Sequence, residues 1–528
     1  MAKSLKAGKK SWNGYGRITS KLRRLEEIRS IIANGVRRFF GSTHNNSLKS
    51  KNIFQKPFWF ALCGAVFLLA VAIRVRAAKN DLWMDEIWSL ELIRQLHSAL
   101  GVFAQTHHDN NHYLNSLFIY FFGQRGNWPG YRVPAVIFGF GAIVLAWFIG
   151  ARRDKPTAFF SALLVSFSYV MILYSSEARG YAALIFFCFL CFLILDLFFE
   201  KPRWQMAALF SLSAVLGLTS HLTFLIFLCA SLAWFWARLF RVKFSIPKVI
   251  GWTAACYAAP SLYLLILYFV DLQQLQIGGG TPITVFDGYL AMLAWAFGGP
   301  NLPWLQQFTI AVSAAGLLAG IAVLILEGTD EWIFFLGVTV VIPLAMPLFE
   351  HGTLHYVRYF IVALGFLLLL FGRVLGWLFE SGHIGKIVSG AFCLLFMTIN
   401  GWDVASLLKY GRGHIAEAVH FMVQNAKDQS VATFGGEQDF RIQFVLAFYW
   451  RELMGDRPAE YYDHDHWPSE GPEWVIFHGE SFREPAPPGK RFTDKFGNGF
   501  ELVRTFPTAP LSGVHWFIYH KTSAQSRS

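Results

Sequence analysis

Residues 57–89 read PFWFALCGAVFLLAVAIRVRAAKNDLWMDEIWS. An apolar run that starts at Pro57 is long enough to cross a bilayer, and two adjacent acids, Asp85 and Glu86, follow soon after it. Charged groups beside hydrocarbon lose hydration, so carboxylates at the mouth of a membrane helix indicate chemistry or ion binding. This stretch therefore predicts a membrane fold and, in the same place, the active site.

The composition is that of a polytopic membrane protein rather than a soluble enzyme. Of 528 residues, 54% are apolar and only 15% are charged, and the mean hydropathy is +0.40. The net charge of +12 arises in residues 1–56, which carry 14 Lys and Arg against two acids. An amphipathic surface helix or a nucleic-acid-binding arm would suit such a segment. The positive-inside rule favours a simpler interpretation, a cytoplasmic N-terminus without a nucleic-acid partner.

Apolar segments of spanning length number eleven, which predicts about 11 transmembrane helices. They run approximately over residues 57–78, 130–150, 157–175, 180–199, 204–220, 222–240, 248–270, 304–326, 331–349, 357–373 and 385–402. With the N-terminus inside, this count puts most basic loops in the cytoplasm. Residues 112–123 are short for a crossing and are predicted to form a re-entrant or interfacial helix. The polar clusters near residues 85, 177, 221 and 351–358 then share the external face.

These segments divide the chain into three parts. We predict a basic cytoplasmic segment over residues 1–56, a transmembrane catalytic domain over 57–403 and a soluble α/β domain over 404–528. External loops are expected at residues 79–129 and 271–303, the second being usually functional or disordered at such a length. Periodicity in the tail predicts helices at residues 415–424 and 440–453 and strands at 431–434, 474–477, 501–506 and 515–520.

The acid pair has two interpretations. Adjacent helical residues point about 100 degrees apart, so Asp85 and Glu86 need not share a role. In one interpretation Asp85 caps the following helix, where unpaired backbone N–H groups favour a carboxylate. Capping explains one acid and leaves the tryptophan-rich surroundings unexplained. We therefore predict that both acids belong to a catalytic site.

Three imidazoles and a carboxylate crowd residues 106–112. Metal ligation by His107, His108, Asp109 or His112 together with Asp85 is chemically possible. The spacing is not the helical i, i+4 pair of a zinc site, and histidines beside a membrane face often anchor at headgroups instead, so both interpretations stay open here. The six cysteines lie in apolar runs and indicate neither a metal site nor disulfides.

Cations also stand at the ends of apolar segments. Arg179 must reach the interface, pair with Glu177 or bind an anion, and an ion pair and a ligand role fit the sequence equally. Arg358, followed by Tyr359, suits a phosphate at headgroup depth and equally suits an interface anchor. His221 could act as a general base, although a lone histidine in a short hairpin is more often structural.

The order of these motifs resembles the GT-C glycosyltransferases of family 39, the group of protein O-mannosyltransferases and lipid A aminoarabinose transferase. The resemblance covers roughly residues 57–400, although both prolines of the family's His-Pro-Pro-Leu motif are missing after His112. The matching stretches are Trp83-Met-Asp85-Glu86-Ile-Trp-Ser89, Asn111-His112-Tyr113-Leu114, Arg132-Val-Pro134, Tyr174-Ser-Ser-Glu-Ala-Arg179-Gly-Tyr181 and Arg358-Tyr359.

The resemblance implies transfer of a sugar from a polyprenyl-phosphate donor to a hydroxyl acceptor on the external membrane face, with inversion at the anomeric carbon. Asp85 would be the general base, and Glu86 would orient the acceptor or the base. Arg358 and Arg179 would neutralise the leaving lipid phosphate. The substrate-binding set predicted around them consists of Glu177, Tyr181, His112, His221 and Tyr359.

The setting implied is a bacterial inner membrane, with the active site facing the periplasm and membrane lipids around the helices. No cofactor and no metal are expected, and Gly278-Gly-Gly280 lacks the flanking elements of a phosphate-binding loop for nucleotides. Two other hypotheses remain open. Asp85 and Glu86 could form a proton or cation relay in a transporter, although no inverted repeat is evident. Alternatively, the chain could be a non-catalytic membrane scaffold.

Overall fold

The structure is a computed structural model. It describes residues 57–123, 126–299, 303–346, 355–426, 432–437, 439–480 and 489–522. The predicted basic segment over residues 1–56 lies outside the described residues, and so does His351 in the fourth polar cluster.

The described residues form twenty α-helices and six strands. The helices are α1 (Pro57–Ala77), α2 (Met84–Arg94), α3 (Gly101–Ala104), α4 (Tyr113–Phe122), α5 (Trp128–Tyr131), α6 (Val133–Ala151), α7 (Lys155–Phe167), α8 (Tyr169–Tyr174), α9 (Tyr181–Glu200), α10 (Trp204–Ser220), α11 (Phe224–Arg241), α12 (Ile246–Val270), α13 (Val285–Phe297), α14 (Pro303–Glu327), α15 (Glu331–Leu336), α16 (Ile342–Ala345), α17 (Ile361–Glu380), α18 (His383–Tyr410), α19 (Ile415–Gln424) and α20 (Asp439–Met454). The strands are β1 (Ala432–Gly436), β2 (Ala459–Tyr462), β3 (Trp474–Glu480), β4 (Arg491–Thr493), β5 (Gly499–Phe506) and β6 (Val514–Lys521).

The prediction of a helical polytopic membrane protein with a small C-terminal α/β domain is confirmed. Among the described residues, seven helical segments are long and apolar enough to cross a membrane. They are Val133–Ala151, Tyr181–Glu200, Phe224–Arg241, Ile246–Val270, Pro303–Glu327, Val357–Glu380 and His383–Gln424. Other apolar helices, such as α7 and α10, are shorter than this. The count of eleven spans therefore stays a prediction.

The predicted span over residues 157–175 is broken in the middle. Helix α7 ends at Phe167, Ser168 is extended, and α8 begins at Tyr169. The buried Arg74 of α1 donates to the carbonyls of Val165 and Ser166, both at 3.0 Å. Carbonyls at the end of a helix lack intrahelical partners, and a guanidinium satisfies several of them at once. The break places the polar loop after α8 within reach of α2.

The second predicted external loop, residues 271–303, is only partly a loop. It contains α13, whose residues Met292 to Phe297 are buried in the main hydrophobic core. Thr284 begins this helix by accepting a hydrogen bond from the Asp287 N–H at 3.1 Å. This part of the expected external loop is therefore a packed helix. Residues 112–123 do form a short helix, α4.

The C-terminal part contains a six-stranded mixed sheet in the order β2-β1-β3-β6-β5-β4. Strands β2, β1 and β3 are parallel, whereas β6, β5 and β4 are antiparallel. Helices α19 and α20 and the four longer strands lie where the periodicity predicts them, and the short edge strands β2 and β4 escaped prediction. Helix α18 continues to Tyr410, past the predicted domain boundary at residue 403.

The C-terminal domain packs directly against the helix that carries the acid pair. The Tyr449 hydroxyl of α20 donates to the Leu82 carbonyl at 2.6 Å, and the Ala416 N–H donates to Asp81 Oδ2 at 2.8 Å. An ion pair between Arg94 and a glutamate of α20 adds a third contact at 3.0 Å. The C-terminal domain thus holds both ends of α2 in place.

Candidate active site

Asp85 and Glu86 lie in the first turn of α2 and are both buried. The helix begins after Trp83, whose N–H donates to Glu86 Oε2 at 3.2 Å. A glutamate at this position that bonds back to the start of the helix forms half of a capping box. The capping role considered for Asp85 in the sequence is therefore filled by Glu86. The Asp85 carboxylate instead pairs with two arginines.

Asp85 lies between two arginines that come from distant parts of the chain. Its Oδ2 atom is 2.8 Å from Arg179 Nη1 and 3.0 Å from Arg358 Nη1. The Asp85 and Arg179 side chains are almost fully buried, whereas the Arg358 side chain is 18% exposed. Two guanidinium groups face one carboxylate, so this group of three carries an excess positive charge. Such an excess attracts an anion of a ligand.

Each arginine is held by aromatic and polar neighbours. Arg179 donates to Asn110 Oδ1 at 2.9 Å and from Nε to His112 Nε2 at 3.2 Å, and it lies over the Tyr181 ring at 4.9 Å. Stacking on a ring face leaves the edge of a guanidinium free to bind anions.

Arg358 has a similar aromatic setting. Its guanidinium lies 4.8 Å from the Tyr356 ring centroid, 5.5 Å from that of Tyr359 and 6.0 Å from that of Trp83. Tyr359 from the predicted substrate-binding set therefore touches the site through Arg358.

His112 and His221 stack on each other behind Arg179, with ring centroids 4.8 Å apart. The Thr223 N–H donates to His221 Nδ1 at 3.1 Å, as Arg179 does to the ring of His112. Burial lowers the pKa of both imidazoles, and the neighbouring Arg179 lowers it further, so that the pKa of His221 falls to about 3. Both rings are thus neutral hydrogen-bond acceptors beside two cations.

The neutral state of His221 makes the protein sensitive to acid. Its pKa in the folded protein lies below the unfolded value, so its contribution to stability is present above pH 6.5 and is lost as pH falls toward 3. When the pH falls from 7.5 to 5, the free energy of unfolding of the wild type should drop by about 1 to 2 kcal/mol more than that of His221→Gln. Unfolding in detergent at both pH values measures this difference. The exposed His420→Gln is the control, and equal pH slopes for wild type and His221→Gln would contradict the assignment.

Glu86 belongs to a second, fully buried ionic cluster next to Asp85. Its carboxylate accepts from Arg132 Nε at 2.7 Å, from Arg132 Nη2 at 2.6 Å and from the Ala178 N–H at 2.7 Å. Burial by itself raises the pKa of Glu86, but the Arg132 guanidinium outweighs this effect and the pKa lies below its usual range. Arg132 also donates to the carbonyls of Ala78 and Asn80, at 3.1 and 2.5 Å. The cluster fixes the loop between α1 and α2.

Glu177 pairs with Arg412 rather than with Arg179. Its Oε1 atom is 3.4 Å from Arg412 Nη2, and both side chains are inaccessible to solvent. Arg412 Nε also lies 3.7 Å from Glu86 Oε2. Burial raises the pKa of Glu177 to about 7, against the lowering effect of Arg412. The ion pair considered between Glu177 and Arg179 is therefore wrong, and each has a partner elsewhere.

The histidine-rich loop makes no metal site in the described part of the chain. His107 Nδ1 is 2.6 Å from Asp271 Oδ1, whose other oxygen accepts from the Tyr113 hydroxyl. His108 Nδ1 is 2.9 Å from Asp109, which also accepts from a backbone N–H of the glycine-rich loop, Gly278. Across the described ranges, no three His, Cys, Asp or Glu residues stand close enough to hold a metal ion. The loop is held instead by hydrogen bonds to residues 271–278.

Known proteins offer a fold likeness only. No protein-family model and no curated protein matches the sequence. The chain is similar to two crystal structures of ArnT from Cupriavidus metallidurans, the lipid A aminoarabinose transferase of the group that the motifs resemble. The apo structure has a TM-score of 0.46 and 10% identity over 80% of this chain and 93% of that chain. The structure bound to undecaprenyl phosphate has a TM-score of 0.48 and 11% identity over 88% and 98%. At these values the likeness carries no conclusion about activity.

The structure assembles most of the predicted residues and adds two that the sequence did not single out. Asp85, Arg179, Arg358, Tyr181 and the two stacked histidines form one contiguous group. Arg132 lies in one of the motifs that resemble the family, but the sequence predicted no role for it. For Arg412 the sequence predicted nothing. A basic residue between two glycines just after a long apolar span is the only signal that Arg412 gives in the sequence.

Proposed function

We propose that the protein transfers a sugar from a polyprenyl-phosphate donor to the hydroxyl group of an acceptor. The observation that carries this proposal is the buried Asp85 carboxylate between the guanidinium groups of Arg179 and Arg358. A base for an alcohol and two cations for a phosphate thus lie within one group of contacts. These are the groups that such a transfer needs.

Asp85 is the general base in this proposal. As the acceptor oxygen forms its bond to the anomeric carbon, Asp85 takes the hydroxyl proton. The bond between that carbon and the phosphate oxygen breaks at the same time, and its electron pair leaves with the polyprenyl phosphate. Attack from the face opposite the leaving group inverts the anomeric carbon. A positioned base of this kind typically contributes about 100- to 10,000-fold in rate.

Arg179 and Arg358 hold the donor phosphate and neutralise the charge that it gains on leaving. Without substrate, the two guanidinium groups are bound to Asp85. A phosphate that binds them competes with Asp85 and frees the carboxylate to accept a proton. Binding of the donor therefore prepares the base, and the partly exposed Arg358 provides the point of entry.

Glu86 and Glu177 act as positioning residues rather than as contacts of the substrate. Glu86 ties the start of α2 to Arg132, and Glu177 ties the loop before Arg179 to Arg412. His112 orients Arg179 through its Nε hydrogen bond. The setting proposed is the bacterial inner membrane, with the site on its periplasmic side.

Arg358 can be tested separately from the base. We expect Arg358→Ala to raise the KM for the lipid donor and to lower kcat by roughly 100- to 1,000-fold, because one of two phosphate-binding cations is lost. Arg358→Lys retains the charge without the planar geometry and should recover part of the rate. Steady-state transfer kinetics measure both parameters, and the exposed Arg491→Ala is the control. An unchanged donor KM in Arg358→Ala would argue against phosphate binding here.

The proposed function itself is tested with the purified chain in liposomes. A radiolabelled polyprenyl-phosphate sugar is supplied together with a bacterial envelope fraction as acceptor. We expect labelled glycan product and an equal amount of polyprenyl phosphate. A transporter moves solute without releasing polyprenyl phosphate, and a scaffold does neither. Either of those results would overturn the proposal.

A further inference from the structure

Three aromatic side chains form a connected surface beside the candidate site. The Trp88 ring of α2 lies 5.3 Å from the Phe440 ring and 5.2 Å from the Phe444 ring of α20. Phe440 and Phe444 are nearly parallel, at 11° and 6.1 Å. Trp88 also lies 4.8 Å from the ring of His108. We call Trp88, Phe440 and Phe444 the aromatic shelf.

Packing between the two domains does not account for the whole shelf. Phe448, Phe444 and Phe440 follow one another at i, i+4 spacing on the same face of α20. Phe448 is buried, Phe444 is half-buried, and Phe440 is 59% exposed. The aromatic row therefore becomes more exposed toward the N-terminal end of α20, where Phe440 contacts Trp88. The exposed ring of Phe440 therefore leaves one apolar face of the shelf open to a ligand.

The shelf is continuous with the catalytic group. Trp88 follows Asp85 by three residues and so lies about one helical turn, roughly 5 Å, further along the same side of α2. Both side chains face the loop over residues 107–112, Asp85 through Arg179 and Asn110, and Trp88 through His108. The Ser89 hydroxyl donates to the Asn110 carbonyl at 2.9 Å and holds this loop against the helix.

Hydrogen-bonding groups border the aromatic faces. The Asp109 side chain is 21% exposed and bonds to His108, the residue that stacks on Trp88. An aromatic surface with the His108 imidazole and the Asp109 carboxylate beside it matches the chemistry of a pyranose. The C–H groups of one face of the sugar carry a small positive charge and favour the electron-rich aromatic face, while its hydroxyls need polar partners.

We propose that the aromatic shelf binds a sugar ring of the acceptor, so that the hydroxyl presented to Asp85 belongs to a carbohydrate rather than to a serine or threonine of a protein. This inference rests on the proposed function and specifies its acceptor class. The side chain of a serine or threonine acceptor has no ring of its own to cover the exposed face of Phe440, whereas a saccharide has such a ring and also carries hydroxyls for Asp85.

Saturation-transfer NMR on the full chain in lipid nanodiscs tests the proposal. The probes are methyl β-glucopyranoside and methyl α-mannopyranoside, with the peptide acetyl-Ala-Ser-Ala-amide as the protein-like comparison. We expect saturation of the C–H protons on one face of a glycoside and little transfer to the peptide. Phe440→Ala removes an exposed side chain and should weaken glycoside binding roughly five-fold. Trp88→Leu should do the same, and Phe496→Ala, an exposed phenylalanine elsewhere in the domain, should not.

The possible outcomes distinguish a failure of the sugar-binding proposal from a failure of the proposed function. Glycoside binding that survives both Phe440→Ala and Trp88→Leu, or equal binding of the peptide, would overturn the shelf. A lowered thermal midpoint in Phe440→Ala with unchanged glycoside binding would show a purely structural surface and would overturn it too. If shelf variants lose glycoside binding but the wild type releases no polyprenyl phosphate, the proposed function fails and the sugar site stands.

Discussion

The Asp85→Asn variant should lose about 100- to 10,000-fold in kcat for sugar transfer, the range that a positioned general base typically contributes. Asparagine has nearly the same shape, and its carbonyl oxygen can accept hydrogen bonds from Arg179 and Arg358. It cannot take a proton from the acceptor hydroxyl. The side chain also no longer competes as an anion for the two guanidinium groups. We therefore expect the KM for the lipid donor to stay the same or to fall while kcat collapses.

This split between kcat and KM distinguishes a catalytic base from a structural residue. Transfer is measured with the radiolabelled lipid donor, and folding is checked by the thermal midpoint of the purified variant. Glu91→Gln is a matched control on the same helix, since Glu91 forms ion pairs with Arg94 and Arg451 near the surface. Wild-type kcat in a folded Asp85→Asn protein would end the base assignment. A raised donor KM with unchanged kcat would place Asp85 in binding only.

The Arg132→Met variant should lower the free energy of unfolding by about 3–5 kcal/mol, because the buried Glu86 carboxylate loses both hydrogen bonds from Arg132 and keeps Arg412, 3.7 Å away, as its remaining cation. Methionine fills most of the space but provides no donor for Glu86 or for the carbonyls of Ala78 and Asn80. The start of α2 and the loop before it should then lose their fixed position. Detergent unfolding curves and the monodisperse yield measure the effect.

Two further variants show whether burial of the Glu86 carboxylate causes this loss of stability. The double variant Glu86→Gln with Arg132→Met removes both charges and should be more stable than Arg132→Met alone. At partly exposed ion pairs, Arg152→Met removes contacts with Asp196 and Glu200 and should cost about 1 kcal/mol or less. Equal losses for Arg132→Met and Arg152→Met would contradict the role assigned to the buried cluster.

The local sequence pattern is sufficient to predict much of this fold. Helices α9, α10 and α11 lie within a few residues of the predicted spans because runs of apolar residues of this length have few alternatives in a bilayer. The helices and longer strands of the C-terminal domain follow from side-chain periodicity in the same way. Asp85 also stands out locally, because an acid beside an apolar span needs a reason to be there. The cationic motifs around residues 179 and 358 were visible for the same reason.

The sequence could not predict which charged side chains form ion pairs with each other. Glu177 is two residues from Arg179, yet it pairs with Arg412, which is 235 positions away, while Arg179 pairs with Asp85. The break at Ser168 and the burial of α13 likewise depend on neighbours such as Arg74 and the surrounding core. Sequence alone therefore determined the membrane class, most helices and the acid at the centre of the site. The tertiary structure decided which cations meet which carboxylates, because ion pairs in a packed interior follow distance in space, and no local period records that distance.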